Sequence, residues 1–236
     1  SRAPTSQGQT TEKCAGRPNG VTRANGKIYV THENSRTEIF DAITHQFYTC
    51  IGTGSWGTGA SQTVHAFDVL LHKGLILIHD KRTIVAVEER ILEAGKTPRI
   101  YIRFEGVGES NGTYGMAVEE ESGLLYSVHP SKRIDVFNLT DIHEGTTLKR
   151  TRQMAYKNNP YALEFHDGKL YVSSNGEEKF CEVNPKTGDI LKNHTVIGDI
   201  TLDTPEKFCI RRNTLFITDR TKNGACVYAI PMSEVK

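Results

Sequence analysis

Short apolar runs recur along the chain, and each follows a Gly or Asn turn and ends in a polar residue. Five copies span Gly26–His32, Gly74–His79, Gly123–His129, Gly168–Ser174 and Asn213–Asp219. Their last residues lie 45–50 positions apart. A repeat of about 40–50 residues with several strands in each copy is typical of a propeller blade. The pattern therefore predicts an all-β, five-bladed β-propeller with about 47 residues per blade.

The repeats divide the chain into blades of four antiparallel strands, A to D, with A innermost. We predict one β-propeller domain over residues 1–236, with blades at about 18–60, 61–109, 110–157, 158–201 and 202–236. The fifth blade lacks a fourth strand, and residues 1–17 precede the first blade. We expect this N-terminal stretch to complete the last blade and close the ring, since an exposed sheet edge is a liability.

The same pairing would bring Cys14, at the end of the closing strand, opposite Cys226 in the fifth blade. An antiparallel partner there lies within disulfide reach, so we expect this bridge, with two buried free thiols as the alternative. The remaining cysteines, Cys50, Cys181 and Cys209, read as buried strand residues.

Lys plus Arg number 29 and Asp plus Glu number 28, so the charge gives no case for a nucleic-acid partner. No apolar run approaches the ~18 residues of a membrane span, so no membrane insertion is expected. Sequons occur at Asn111, Asn138 and Asn193. Three sequons favour a secreted, extracellular glycoprotein over a cytosolic protein, although such triplets also arise by chance.

Strand B ends in His32, His79, His129, Ser174 and Asp219, on the face where strand A begins. Three histidines at equivalent positions are able to bind zinc or copper. The favoured interpretation is structural, because a polar residue at this position can hydrogen-bond a neighbouring turn.

The beginnings of strand A lie nearest the axis and carry further candidates. Asn19, Asp68 and Glu206 offer oxygens to calcium, and His65 is a candidate base. These polar groups also satisfy the exposed ends of strands, which is the alternative interpretation.

Pro18-Asn19-Gly20-Val21, followed by Gly26–Thr31, and the Tyr171–Ser173 unit that ends in Asn184–Gly188 resemble blades of the gluconolactonase/NHL-repeat group. The resemblance implies that Asn19, and Glu206 as a second ligand, would hold a catalytic divalent ion in a lactonase. Tyr114 stands where the lactonases have an Asp before Gly115-Met116, and those enzymes have six blades.

The Gly-rich loop from Gly52 to Thr63 carries Trp56, the only tryptophan, and an aromatic ring in such a loop suits stacking on a sugar or apolar ligand. Trp56 folding back as a plug over the ring is the equal alternative. We predict a secreted, lectin-like recognition module without catalysis or cofactor. It would bind a glycan, small molecule or protein through Trp56, His65, Tyr114 and Tyr161. The alternative is a metal-dependent hydrolase or lyase of lactonase type that uses calcium or zinc.

Overall fold

The computed structural model describes residues 16–53, 63, 65–81, 83–96, 98, 102–105, 115–129, 131–140, 142, 147–175, 179–221 and 224–235. These residues form antiparallel sheets, with short 3-10 turns at Glu89–Ile91 and Met232–Glu234. The fold is a five-bladed β-propeller, which confirms the predicted fold class. The chain divides into two compact units, residues 1–109 with 142–148 and residues 110–141 with 149–236.

The first unit contains two blades. In the first sheet the strands lie in chain order: β1 (Pro18–Ala24), β2 (Lys27–His32), β3 (Arg36–Asp41) and β4 (Phe47–Ile51). The second sheet contains β5 (Ala66–His72), β6 (Leu75–Asp80), β7 (Thr83–Glu88) and β8 (Ile102–Glu105).

The second unit contains three blades and a small hairpin. The third blade contains β9 (Met116–Glu119), β10 (Leu124–His129), β11 (Arg133–Asn138) and β13 (Arg152–Ala155). The fourth contains β14 (Asn159–His166), β15 (Lys169–Asn175), β16 (Phe180–Val183) and β17 (Ile190–Asn193). The hairpin β18 (Val196–Ile197) and β19 (Ile200–Thr201) precedes the fifth blade, β20 (Pro205–Arg211), β21 (Thr214–Thr221) and β22 (Gly224–Pro231).

The chain just before the fourth strand of the third blade belongs to another sheet. That fourth strand, β13, begins at Arg152. The preceding segment, β12 (Thr147–Lys149), instead lies beside β8 on the edge of the second sheet. The predicted closing strand falls in residues 1–15, outside the described residues, and stays a prediction.

Tight turns set the register of the first hairpin in four blades. Asn25-Gly26, Lys73-Gly74, Asp167-Gly168 and Arg212-Asn213 each join two strands, and both residues of every pair have positive φ. Two consecutive positive φ values define a type I′ turn, whose twist matches that of antiparallel strands. Since the side-chain period of a strand is two, a fixed turn decides which residues face the core.

Apolar faces pack between neighbouring blades within each unit. In the first unit one buried cluster combines Tyr29 and Ile39 of the first sheet with Val69, Ile78 and Val85 of the second. In the second unit, clusters of the same kind join the third blade to the fourth and the fourth to the fifth. Each blade thus buries its faces against its sequence neighbours inside the unit.

Glu89 links the first two blades through a set of hydrogen bonds. Its carboxylate accepts from the Tyr29 hydroxyl at 2.9 Å and the Asn25 amide at 2.7 Å. The Lys27 ammonium lies 3.6 Å away. Burial raises the pKa of Tyr29, and the Glu89 carboxylate raises it further, so the hydroxyl stays a donor. Tyr29 itself is fully buried, and its hydroxyl depends on this partner.

We expect Glu89→Ala to lower the free energy of unfolding by about 1–3 kcal/mol, because the buried Tyr29 hydroxyl loses its acceptor. The matched control is Glu93→Ala, whose carboxylate is exposed and pairs only with exposed Lys96. That control should change stability by less than about 1 kcal/mol. Urea unfolding measures both, and equal effects would contradict the role assigned to Glu89.

Candidate functional site

A bulge lies near the start of the first strand in four of the five blades. The strand pairing is irregular between Pro18 and Gly20, Ala66 and Asp68, Pro160 and Ala162, and Pro205 and Phe208. The residues left out of the pairing are Asn19, Phe67, Tyr161 and the pair Glu206-Lys207. Bulges redirect side chains and are frequent beside binding and active sites. Each unit carries its own candidate contact residues, Asn19, Phe67 and His65 in the first and Tyr161, Glu206 and Lys207 in the second. We call these the bulge residues.

Three of these bulges are held by hydroxyl groups on the second strand of a blade. The Thr31 hydroxyl donates to the Gly20 carbonyl at 3.3 Å. The Thr218 hydroxyl accepts from the Lys207 amide at 2.9 Å and donates to the Lys207 carbonyl at 3.0 Å. The bonds of Thr218 satisfy backbone groups of Lys207, which the irregular pairing leaves without a strand partner.

Ser173 performs this task for two blades at once. Its hydroxyl accepts from the Ala162 amide at 3.1 Å and donates to the Glu206 carbonyl of the next blade at 2.5 Å. Ser173 is fully buried. One hydroxyl therefore fixes the backbone directly after Tyr161 and at the Glu206 bulge.

Counting from the turns shows that the three histidines are not equivalent. His32 pairs with Pro18, whereas His79 pairs with Asp68, the counterpart of Gly20. His79 therefore corresponds to Thr31, and Asp80 corresponds to His32. The predicted alignment of His32, His79 and His129 is wrong. Within the described ranges, no group of three or more His, Cys, Asp or Glu is arranged to hold a metal ion.

At the position equivalent to His32, carboxylates of two other blades bind the segment that enters the first strand. Asp219 accepts from the amides of Asp203 at 2.9 Å and Thr204 at 2.6 Å. Asp80 accepts from the His65 amide at 3.2 Å. A structural role was expected for Asp219, and the structure shows that it acts on the entering segment.

In the first unit the bulges of β1 and β5 approach each other. The Asn19 amide group donates to the Ala66 carbonyl at 2.9 Å. A Cβ on Gly20 would lie 2.8 Å from the Phe67 carbonyl oxygen and 3.2 Å from the Asp68 Cα, so glycine permits this approach. Two predicted metal ligands, Asn19 and Asp68, thus lie on adjoining bulges, and the bond from the Asn19 amide nitrogen orients this side chain.

His65 and Phe67 form a stacked aromatic pair beside these bulges. Their ring centroids are 4.6 Å apart and the planes differ by 10°. Both side chains are half-buried. Burial lowers the pKa of His65, so the imidazole is neutral at pH 7. The pair offers a flat ring surface together with a neutral polar edge.

In the second unit the bulges carry Tyr161 and the charged pair Glu206-Lys207, all half-buried. The Glu206 carboxylate lies 3.2 Å from the Arg220 guanidinium. The Glu206 carboxylate therefore already has a cationic partner within its own blade. A stacking surface and charged hydrogen-bonding groups therefore lie on neighbouring blades of this unit.

Several predicted residues lie outside the described residues, namely Trp56, Tyr114, Asn111 and Cys14. The Cys14–Cys226 bridge is not supported, because Cys226 is a thiol that contacts the Asp219 carbonyl at 3.5 Å. Cys226 pairs with Asp219 across the hairpin, which accounts for this contact. Cys50, Cys181 and Cys209 are thiols too.

Of the two sequons in the described ranges, Asn193 is exposed at the end of β17. Asn138 is half-buried, and its side chain accepts from the Thr140 amide at 3.0 Å and hydroxyl at 2.8 Å.

Two buried histidine–carboxylate pairs were not found from the sequence. His32 Nε2 lies 3.2 Å from Glu38, which also meets Arg36 at 3.3 Å. His194 Nε2 lies 3.6 Å from Glu182, which accepts from Lys169 at 2.8 Å. The hydrogen bond with Glu38 raises the pKa of His32, whereas burial lowers the pKa of His194.

No helix in the described ranges is long and apolar enough to span a membrane.

No protein-family model matches the chain, and no curated protein matches it. Solved structures do resemble it. U3-55K superposes with a TM-score of 0.63 at 8% identity, covering 92% of this chain and 62% of that one. A chain of a nidogen/laminin complex gives 0.60 at 14% identity, covering 92% and 77%. A Bacteroides thetaiotaomicron VPI-5482 protein of unknown function gives 0.59 at 13% identity, covering 90% and 57%.

At such low identities, these superpositions show a shared fold alone. The chain spans 62% and 57% of the U3-55K and Bacteroides chains, respectively.

We expect opposite pH dependences from the two buried histidines. The lowered pKa of His194 means that its contribution is lost as pH falls below the unfolded value of about 6.5. The raised pKa of His32 gives a contribution that is present below about 6.5 and is lost as pH rises through the folded pKa. His194→Gln should therefore cost more stability at pH 7 than at pH 5, and His32→Gln should cost more at pH 5 than at pH 8. Urea unfolding at each pH measures this, and pH trends of the same sign would contradict the assignment.

Proposed function

We propose that this chain is a recognition propeller that binds a glycan without catalytic turnover. The observation that carries the proposal is the set of bulges that start the first strands. In four blades they remove one or two residues from the sheet pairing, and these residues are aromatic or polar. A repeated bulge with varied side chains suits recognition, because the scaffold is kept while the contacts differ.

The chemistry of the bulge residues favours a saccharide. Sugar rings present C–H faces that pack on aromatic rings and hydroxyls that need donors and acceptors. The stacked His65–Phe67 pair and Tyr161 supply rings. Asn19, Glu206 and Lys207 supply polar groups on the same kind of bulge. Trp56 and Tyr114 complete the proposed contact set as candidates from the sequence. A small apolar molecule or a protein partner are the other ligands under this proposal.

A secreted setting also belongs to the proposal and rests on the sequons. Asn193 is exposed and open to modification. The resemblance to the gluconolactonase/NHL-repeat group is proposed only for the blade framework. The three solved structures share the propeller fold at 8–14% identity and carry no argument about the ligand.

A metal-dependent hydrolase or lyase is the second candidate, and one observation favours it. Asn19 and Asp68 lie on adjoining bulges, so two possible oxygen ligands are brought near each other. Against it, the Glu206 carboxylate pairs with Arg220. Elemental analysis of dialysed protein separates the two candidates, since the hydrolase needs a stoichiometric calcium or zinc ion.

We expect the full chain to bind one class of glycan on an array of defined oligosaccharides. Tyr161→Ala and Phe67→Ala should each weaken that binding about fivefold or more, because removing an aromatic contact costs above about 1 kcal/mol. Titration calorimetry with the glycan found on the array measures the affinities.

The control is Phe216→Ala, which removes an exposed aromatic ring from the middle of β21. This variant should keep the full affinity. Thermal unfolding of all three variants separates a loss of contact from a loss of fold. Retained affinity in both bulge variants would contradict the proposal, as would an absence of binding to every glycan on the array.

A further inference from the structure

A cleft of about 480 Å³ lies in the first unit, away from the bulge residues. Its lining consists of Lys27, Lys73, Gly74, Leu75, Glu88, Glu89 and Arg90. These residues belong to β2, to the β5–β6 turn with the start of β6, and to the end of β7 with the 3-10 turn that follows. Of the bulge residues, Phe67 lies at the opposite end of β5. A volume of this size is in the range of small-ligand sites.

The cleft has more positive than negative groups. Three cations, Lys27, Lys73 and Arg90, face two carboxylates, which leaves a net charge of +1. Both carboxylates already have partners. Glu89 is occupied by Tyr29, Asn25 and Lys27, and Glu88 lies 2.6 Å from the Arg90 guanidinium. The negative charge in the cleft is therefore largely neutralised by groups of the protein itself.

Lys73 differs from the other two cations. It is exposed, and no salt bridge to it is seen in the described part of the chain. Its φ of 45° is part of the type I′ turn, so the turn fixes its backbone at the rim. A Cβ added to Gly74 would have no atom within 4 Å, so the space beside Lys73 is open. Leu75, half-buried, adds an apolar surface next to it.

We propose that this cleft binds a small organic anion, with its oxyanion at Lys73 and Arg90 and its ring-sized body over Gly74 and Leu75. Lys73 supplies an ammonium without a competing carboxylate, and Arg90 supplies the guanidinium donors that Glu88 leaves unused. A carboxylate and a phosphate share this chemistry. The site goes beyond the proposed glycan recognition and does not depend on it, because no bulge residue lines the cleft.

The test is a titration of ¹⁵N-labelled full chain with glucose 6-phosphate, glucuronate, glucose and inorganic phosphate, followed by amide chemical shifts. We expect both sugar anions to shift the amides of Gly74, Leu75 and Arg90, and glucose to leave them unchanged. Whichever sugar anion binds more tightly identifies the preferred oxyanion. Raising the salt concentration should weaken the binding, because exposed charges are screened. Shifts at these amides that glucose produces equally well would overturn the proposal, as would no shifts with either sugar anion.

Inorganic phosphate alone should bind more weakly than glucose 6-phosphate, because it lacks the body that contacts Leu75. Equal affinities would reduce the site to an ion contact and overturn the proposal for an organic ligand.

Lys73→Gln should weaken the binding of glucose 6-phosphate about fivefold, the size of effect expected when an exposed ion pair is lost. The matched control is Arg212→Gln. Arg212 is an exposed cation with φ of 49° at the equivalent turn of the fifth blade, and it does not line the cleft. It should leave the affinity unchanged. Arg90→Gln, at a side chain that is 78% exposed, provides a second variant at the rim. Equal losses in Lys73→Gln and Arg212→Gln would show a general charge effect and overturn the assignment.

Discussion

The candidate site depends on one constraint, the hydrogen bonds by which a hydroxyl of the second strand holds a bulged first strand in three of the blades. A bulge leaves backbone amides and carbonyls without ladder partners, and such groups are costly when they are buried. Thr31, Ser173 and Thr218 bond the backbone beside the bulges from equivalent positions of three blades. Because these bonds are made to backbone groups, each blade can vary its bulge side chain without changing its fold. Asn19, Tyr161 and Glu206 are different residues in the same structural position.

The two ends of β5 illustrate how one strand serves two sites. At its start, a bulge and the neighbouring β1 bulge place Asn19, Phe67 and Asp68 together. At its end, a type I′ turn places Lys73 beside a cleft whose carboxylates are already paired. Glu89 connects this second end to the first blade through the buried Tyr29. The stacked His65–Phe67 pair and the cationic cleft therefore lie near opposite ends of one strand of this unit.

Much of the blade framework could be predicted from the sequence, because Asn-Gly and similar turns and alternating apolar residues are local signals. The predicted histidine alignment was wrong because the repeats differ in length by one residue. Six residues run from Gly74 to His79, but seven run from Gly26 to His32, so Asp80 is the counterpart of His32. The position of β12 could not be predicted, since its edge pairing with β8 depends on tertiary contacts. The pairs of His32 with Glu38 and His194 with Glu182 were also missed, because periodicity does not show which polar groups meet inside a sheet.

The account is tested most directly by the glycan affinity of Ser173→Ala. Ser173 is fully buried, and its hydroxyl fixes the backbone at the Tyr161 and Glu206 bulges. If the bulges present the ligand contacts, this variant should stay folded and bind the glycan found on the array clearly more weakly than the unmodified chain. Full affinity in a folded Ser173→Ala protein would contradict the account, because the bulges would then not determine recognition.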